Sequence, residues 1–255
     1  MYANLPALTK ATLFFVLAFG LCLMVALMEP LFGARTPIVA MPTALGAHRA
    51  GVRGWGLAVL LPALVLGAAY GAVWLSGVGT FSPPRQSGSV LSLALDVGVA
   101  IVVTTLIFTV GEEVGWRGYL LPHLMSVGPR RALLLSGFLH GVWHLPVMIG
   151  TLHYHGLGSR FIVVPLFLCT LTAAGVCYGY LRLTTASVWP AAIAHGSFNV
   201  MWERLQASTV TTSPLALEYL AGESGVLTLA ALVGAAVWLA RRLPLPTRAA
   251  YDAAS

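Results

Sequence analysis

Two adjacent carboxylates and a cation one helical turn later, Glu112, Glu113 and Arg117, sit in an otherwise apolar stretch of this 255-residue chain. Glu113 and Arg117 are four apart with the acid nearer the N-terminus, the spacing at which a helix pairs them. Glu112 lies about 100° further round and lacks that partner. A buried ion pair joining two helices would explain Glu113 and Arg117, but it leaves Glu112 unexplained. A carboxylate beside a second carboxylate in an apolar site is hard to ionise fully, the condition of a general acid or base working near neutrality. His140 and His144 are also four apart and share a face, followed by Leu145 and Pro146. His195 and Asn199 repeat that spacing and offer an imidazole and an amide to one point. One carboxylate, two imidazoles and an amide suit two chemistries. Glu112 could take a proton from water while the imidazoles and Asn199 orient it and hold an oxyanion. Alternatively, Glu112, His144 and His195 could ligate a divalent metal such as zinc and leave a position for water. HExxH is absent. Ser197 lies on a different face from His195, so no Ser/His/Asp set forms.

The elements that must carry these groups follow from composition. Only 9% of the residues are charged and 58% are hydrophobic, with a mean hydropathy of +0.86. Soluble domains carry about 25% charged residues, so a soluble enzyme, a disordered chain and a fibrous protein are excluded. Long uncharged runs span 11–28, 55–77, 89–111 (continuing to 122), 132–152, 161–181, 185–202 and 225–240. Each approaches the roughly 20 residues a helix needs to cross a bilayer. The expectation is an all-α polytopic bundle of seven helices, or eight if 89–122 is two pieces, forming a single membrane domain over 1–255.

Arginine placement orients the bundle. With the C-terminal tail in the cytoplasm, that side collects Arg35, Arg49, Arg53, Arg130, Arg131, Arg182, Arg241, Arg242 and Arg248. The outer side receives Lys10, Arg85, Arg160 and Arg204, together with Glu203, Glu218 and Glu223. This agrees with the positive-inside rule, N-terminus out and C-terminus in. The formal charge of +6 then reads as basic loops beside anionic lipid headgroups, and no nucleic-acid-binding motif is present. In this arrangement Glu112, His144 and His195 all fall roughly 16–20 Å from the cytoplasmic ends of their helices. Unrelated packing residues have no reason to share a depth.

Other residues read as ordinary. The run 11–28 ends in Met-Glu-Pro without a small-residue cleavage site and is expected to be a retained helix rather than a signal peptide. Cys22, Cys169 and Cys177 fall inside spans with no CxxC, as packing residues. His48, His123, His153 and His155 belong to loops. Asp96 lies near the start of its span as a packing or interface residue. The C-terminal Asp-Ala-Ala-Ser carries no prenylation cysteine.

The three clusters together resemble the CPBP family, which holds the type II CAAX prenyl endopeptidases and the bacteriocin-immunity-associated membrane proteases. The resemblance rests on EEVGWRGYLLP at 112–122, HGVWHLP at 140–146 and HGSFN at 195–199, and covers a core at about 90–205. It implies that Glu112 is the water-activating glutamate, that Glu113 and Arg117 fix its helix, and that His144, His195 and Asn199 position water and the oxyanion. The family usually has an aromatic residue four before its second-motif histidine. This chain has His140 there, an additional imidazole that would tune the site or add a metal ligand. Family members are often labelled metalloproteases, but the resemblance leaves metal-free and metal-assisted hydrolysis equally open. The implied activity is intramembrane peptide-bond hydrolysis of a peptide or membrane-protein substrate, admitted from the cytoplasmic side or the bilayer. One lysine against 13 arginines, with abundant alanine, points to a GC-rich bacterium and its cytoplasmic membrane, where prenylated proteins are not expected substrates. The alternatives are a small transporter or proton relay, and a catalytically idle immunity or scaffold protein.

Overall fold

The computed structural model describes residues 52–83, 90–150 and 158–246. The expected helix at 11–28 lies outside them, as do Lys10, Cys22, Arg35, His48, Arg49, Arg85, His153, His155 and Arg248.

Six of the seven expected spans coincide with described helices. Helix α1 is Trp55–Leu75, and the chain turns at Gly77, whose φ of +76° suits a residue without Cβ. Helix α2 runs continuously over Leu91–Val127 and ends at Gly128, φ +94°. The 89–122 run is therefore one long helix. Helix α3 is Pro129–Gly150, opening on a proline whose missing N–H has no intrahelical partner to lose. Helix α4 is Arg160–Thr185 and α5 is Trp189–Ala207. A short α6, Pro214–Leu220, precedes α7, Val226–Arg242. Beyond the all-α expectation there is one antiparallel ladder, in which β1 (Thr80–Phe81) pairs with β2 (Thr209–Val210).

The ladder ties the end of α1 to the end of α5. At the opposite end Gly54 lies against Thr185 and Pro190, where α1 begins, α4 finishes and α5 starts. The helices thus alternate up and down. One end of the bundle carries Arg53, Arg130, Arg131, Arg182, Arg241 and Arg242, whereas the other carries Arg160, Arg204, Glu203, Glu218 and Glu223.

Three of the helices, α1, α2 and α4, are long and apolar enough to cross a membrane. Helices α3 and α5 carry His140, His144, His195 and Asn199, and these polar positions dilute their hydropathy. The distribution of polarity is inverted relative to a soluble protein. Leu64, Leu95, Val99, Leu106 and Phe161 are exposed, while Glu113, Arg117, His140 and Ser197 are fully buried. A surface of that kind needs a lipid solvent.

Two devices set the helix phases. Within α2, π-helical turns at Thr105–Thr109 and Val114–Leu120 flank the α-helical segment Val110–Glu113. A π turn adds a residue to the helical circuit and rotates the remainder of the helix, and such turns gather at functional sites. Small residues then allow close approach. A Cβ on Gly196 would lie 2.5 Å from Thr105 Oγ1, so α5 meets the first π turn only because residue 196 has none. At the crossing of α3 and α4, a Cβ on Gly175 would lie 2.5 Å from Gly137 Cα and 2.7 Å from Arg117 Nη2.

Candidate active site

Arg117 is the centre from which the site is built. Its Nη1 donates to Glu113 Oε1 at 2.7 Å, and both side chains are fully buried. The same nitrogen lies 3.2 Å from His140 Nδ1. A guanidinium only donates, so His140 Nδ1 must accept, and the ring proton is on Nε2. That Nε2–H donates to Glu112 Oε2 at 3.1 Å. A second arm leaves from Glu113. Its Oε1, ionised beside arginine, accepts from His195 Nδ1 at 2.9 Å. His195 Nε2 is thereby left as the nitrogen free to act on a bound molecule. His144 Nε2 stands 3.9 Å from Glu112 Oε2, too far for a direct hydrogen bond.

Rings complete the support. Tyr178 stacks on His195 with centroids 5.4 Å apart, and its face also receives the Arg117 guanidinium at 5.3 Å. Trp116 packs on His140 at 5.0 Å and Phe167 edges His144 at 5.9 Å. Thr109 Oγ1 donates to the Ala192 carbonyl at 2.8 Å, pinning the first π turn to α5.

Accessibility divides these groups. Glu112 and His144 side chains are 15% and 13% exposed, whereas Glu113 and Arg117 are at zero. In front of Glu112 and His144 lies a cavity of about 370 Å³, lined also by His195, Asn199, Thr170, Tyr178, Glu203 and Glu223. That volume falls within the range of small-molecule and peptide sites. Behind them Arg117, Leu121 and Met125 fill the bundle with almost no exposure.

The structure therefore brings together Glu112, Glu113, Arg117, His140, His144, His195 and Asn199. Glu112, His144, His195 and Asn199 line the cavity, while Glu113, Arg117 and His140 stand behind it. Sequence reasoning left out Tyr178, Trp116, Phe167 and Thr170, and took Glu203 and Glu223 for outer-loop charges. Aromatic and hydroxyl residues in membrane helices are common, so nothing in their spacing distinguished them.

Residues 94–201 match the family described as type II CAAX prenyl endopeptidase Rce1-like. Over that segment the resemblance read from the three polar clusters holds, and the segment contains every residue of the site except Glu203 and Glu223. No curated protein and no solved structure matches the chain. An Rce1-like segment and long apolar helices make this a membrane protein with a protease-type core.

The donor set of the Rce1-like segment can be tested against a metal. Ligand atoms of Glu112, His140 and His144 lie within 4.8 Å of one another. His140 nevertheless does not fit. Bound through Nε2 it would carry its proton on Nδ1, pointed at the donor Nη1 of Arg117, whereas metal-bound histidines give their second N–H to an acceptor. His195 does have that arrangement, with Nδ1–H on Glu113. The chemistry of the donors thus favours Glu112, His144 and His195 over the trio containing His140 as the residues that would hold a metal, which would supply Lewis-acid activation of water.

Proposed function

We propose that this protein is an intramembrane endopeptidase of the bacterial cytoplasmic membrane, hydrolysing a peptide bond with water activated by Glu112. The observation that carries the reading is the contrast in access. Glu112 and His144 reach the cavity, and Arg117 holds Glu112 through His140 and His195 through Glu113. Pre-set orientation of this kind is what a water-activating base requires, and a scaffold protein has no use for it.

In this mechanism Glu112 accepts a proton from a water held between it and His144. The oxygen attacks the carbonyl carbon, and the oxyanion takes hydrogen bonds from the Asn199 amide and, when it carries a proton on Nε2, from His195. The C–N bond breaks as Glu112 returns its proton to the leaving amine. The His140 Nε2–H holds Glu112 Oε2 and leaves Oε1 for the proton transfers.

A transporter or relay would need a polar route through the bundle. Here the cavity stops at Arg117, Leu121 and Met125, which favours a one-sided reaction site. The test is Glu112→Ala. It should abolish cleavage, by about a thousandfold or more for a lost general base in a preorganised site, while the protein still accumulates in the membrane. Comparing membrane proteomes of cells carrying each form reads this out, and full activity in the variant would remove Glu112 from the role. Metal analysis of the purified protein separates metal-assisted from metal-free hydrolysis.

A further inference from the structure

The cavity extends from the site in one direction only. Thr104 and Phe108 precede Glu112 on α2, while Asn199, Val200 and Glu203 follow His195 on α5. Thr104 and Glu203 are each eight residues from the reacting level, roughly 12 Å along their helices. Glu223, in the turn before α7, lines the same end. The route leads away from the arginine-rich face. Sequence reasoning expected access from the cytoplasmic side or the bilayer, and by the positive-inside rule this mouth belongs to the opposite face.

Three carboxylates line the cavity, Glu112, Glu203 and Glu223, and no lysine or arginine does. A low-dielectric cleft lined by one sign of charge focuses its field on its contents. Glu203 is exposed and Glu223 partly buried, and among the described residues neither has an ion-pair partner. A separate feature points to an extended polar ligand. Thr170 is 2% exposed, lines the cavity, and its Oγ1 has no hydrogen-bond partner. Its neighbour Thr172 and the later Thr184 on the same helix give their hydroxyls to Leu168 and Tyr180 carbonyls. A buried hydroxyl left open beside a cavity is satisfied by a peptide amide or carbonyl.

We propose that Glu203 and Glu223 select a peptide segment bearing a lysine or arginine side chain, which enters through the mouth they flank while its backbone bonds Thr170. This rests on the endopeptidase reading and names its substrate class. Burial pushes the Glu223 carboxyl up to about 7, with Glu203 and Glu218 adding to the shift, as suits an acid whose counter-charge comes with the substrate.

The test uses full-length protein carrying Glu112→Gln, in detergent, so that peptide binds without being cut. The probes are a fluorescent alanine-leucine peptide with one lysine and its norleucine twin. The lysine peptide should bind about tenfold more tightly, the scale of a hydrogen bond to a charged group. Adding Glu203→Gln and Glu223→Gln should erase that preference and leave norleucine binding unchanged. Glu223→Lys should shift preference to a glutamate-bearing peptide, a gain that misfolding cannot mimic. Equal binding of the twins, or a preference that survives both substitutions, overturns the proposal. If the parent binds lysine peptides selectively but the wild type cuts none, the acidic mouth stands and the endopeptidase reading fails.

Discussion

The two sides of Glu112 are built on opposite principles. Behind it, Arg117, Glu113 and His140 are sealed and joined through one guanidinium nitrogen. In front, His144, Asn199, Glu203 and Glu223 line open space, and the charges at the mouth are uncompensated. Buried charge is tolerated in a low-dielectric interior only when paired. The rear therefore spends its charges on mutual neutralisation and fixes geometry. The front leaves its carboxylates unpaired, which only a ligand can change. Function is concentrated where this pairing is incomplete.

Substitutions should separate the two sides. The largest effect is expected at the rear. Arg117→Leu leaves Glu113 buried without its cation, at a cost of about 3–5 kcal/mol, so the purified protein should melt far lower or fail to accumulate. An unchanged melting temperature would contradict a sealed rear. Gly175→Ala places a methyl against Gly137 and the guanidinium and should cost about 1–3 kcal/mol by overpacking, read by the same unfolding measurement.

His140→Phe tests the link between the sides. Phenylalanine still packs on Trp116, so the fold should persist, but Glu112 loses its donor. A fall in kcat of about tenfold with KM little changed is expected, the scale of one hydrogen bond to a carboxylate, together with a displaced pH profile. Glutamine at 140 should restore part of the rate. A loss confined to stability would make His140 a packing residue.

The smallest effect belongs to the mouth. Glu223 is faced by Glu112 from α2, His195 and Glu203 from α5 and Glu218 from α6. Its carboxylate charge is present above about 7 and lost below it. Binding of the lysine peptide to the Glu112→Gln protein should weaken severalfold as pH falls through that value. Glu223→Gln should flatten this component, and whatever remains belongs to the histidines.

The sequence exposed the rear better than the front. Charges are so scarce that Glu112, Glu113 and Arg117 stood out. The four-residue spacing of Glu113 and Arg117 is realised as the 2.7 Å pair, and the shared depth of three clusters corresponds to one composite site. The π turns were invisible, because side-chain periodicity does not register one added residue. His140 was legible as an extra imidazole, but its tautomer required Arg117 to lie beside it. Glu223 looked like a loop charge because nothing local places the turn before α7 over a cavity formed by α2, α4 and α5.

The two π turns bear on how such a chain can vary. Each amounts to a single residue inserted into α2, on either side of Val110–Glu113. Removing one residue from 105–109 would restore a regular helix and swing everything beyond it by about 100° relative to the preceding half. Glu112 would then leave His140, and Glu113 would leave His195. The spacing between Leu91 and Val127 is therefore an inherited length, and lineages that keep this chemistry should show substitutions within α2 but no gaps.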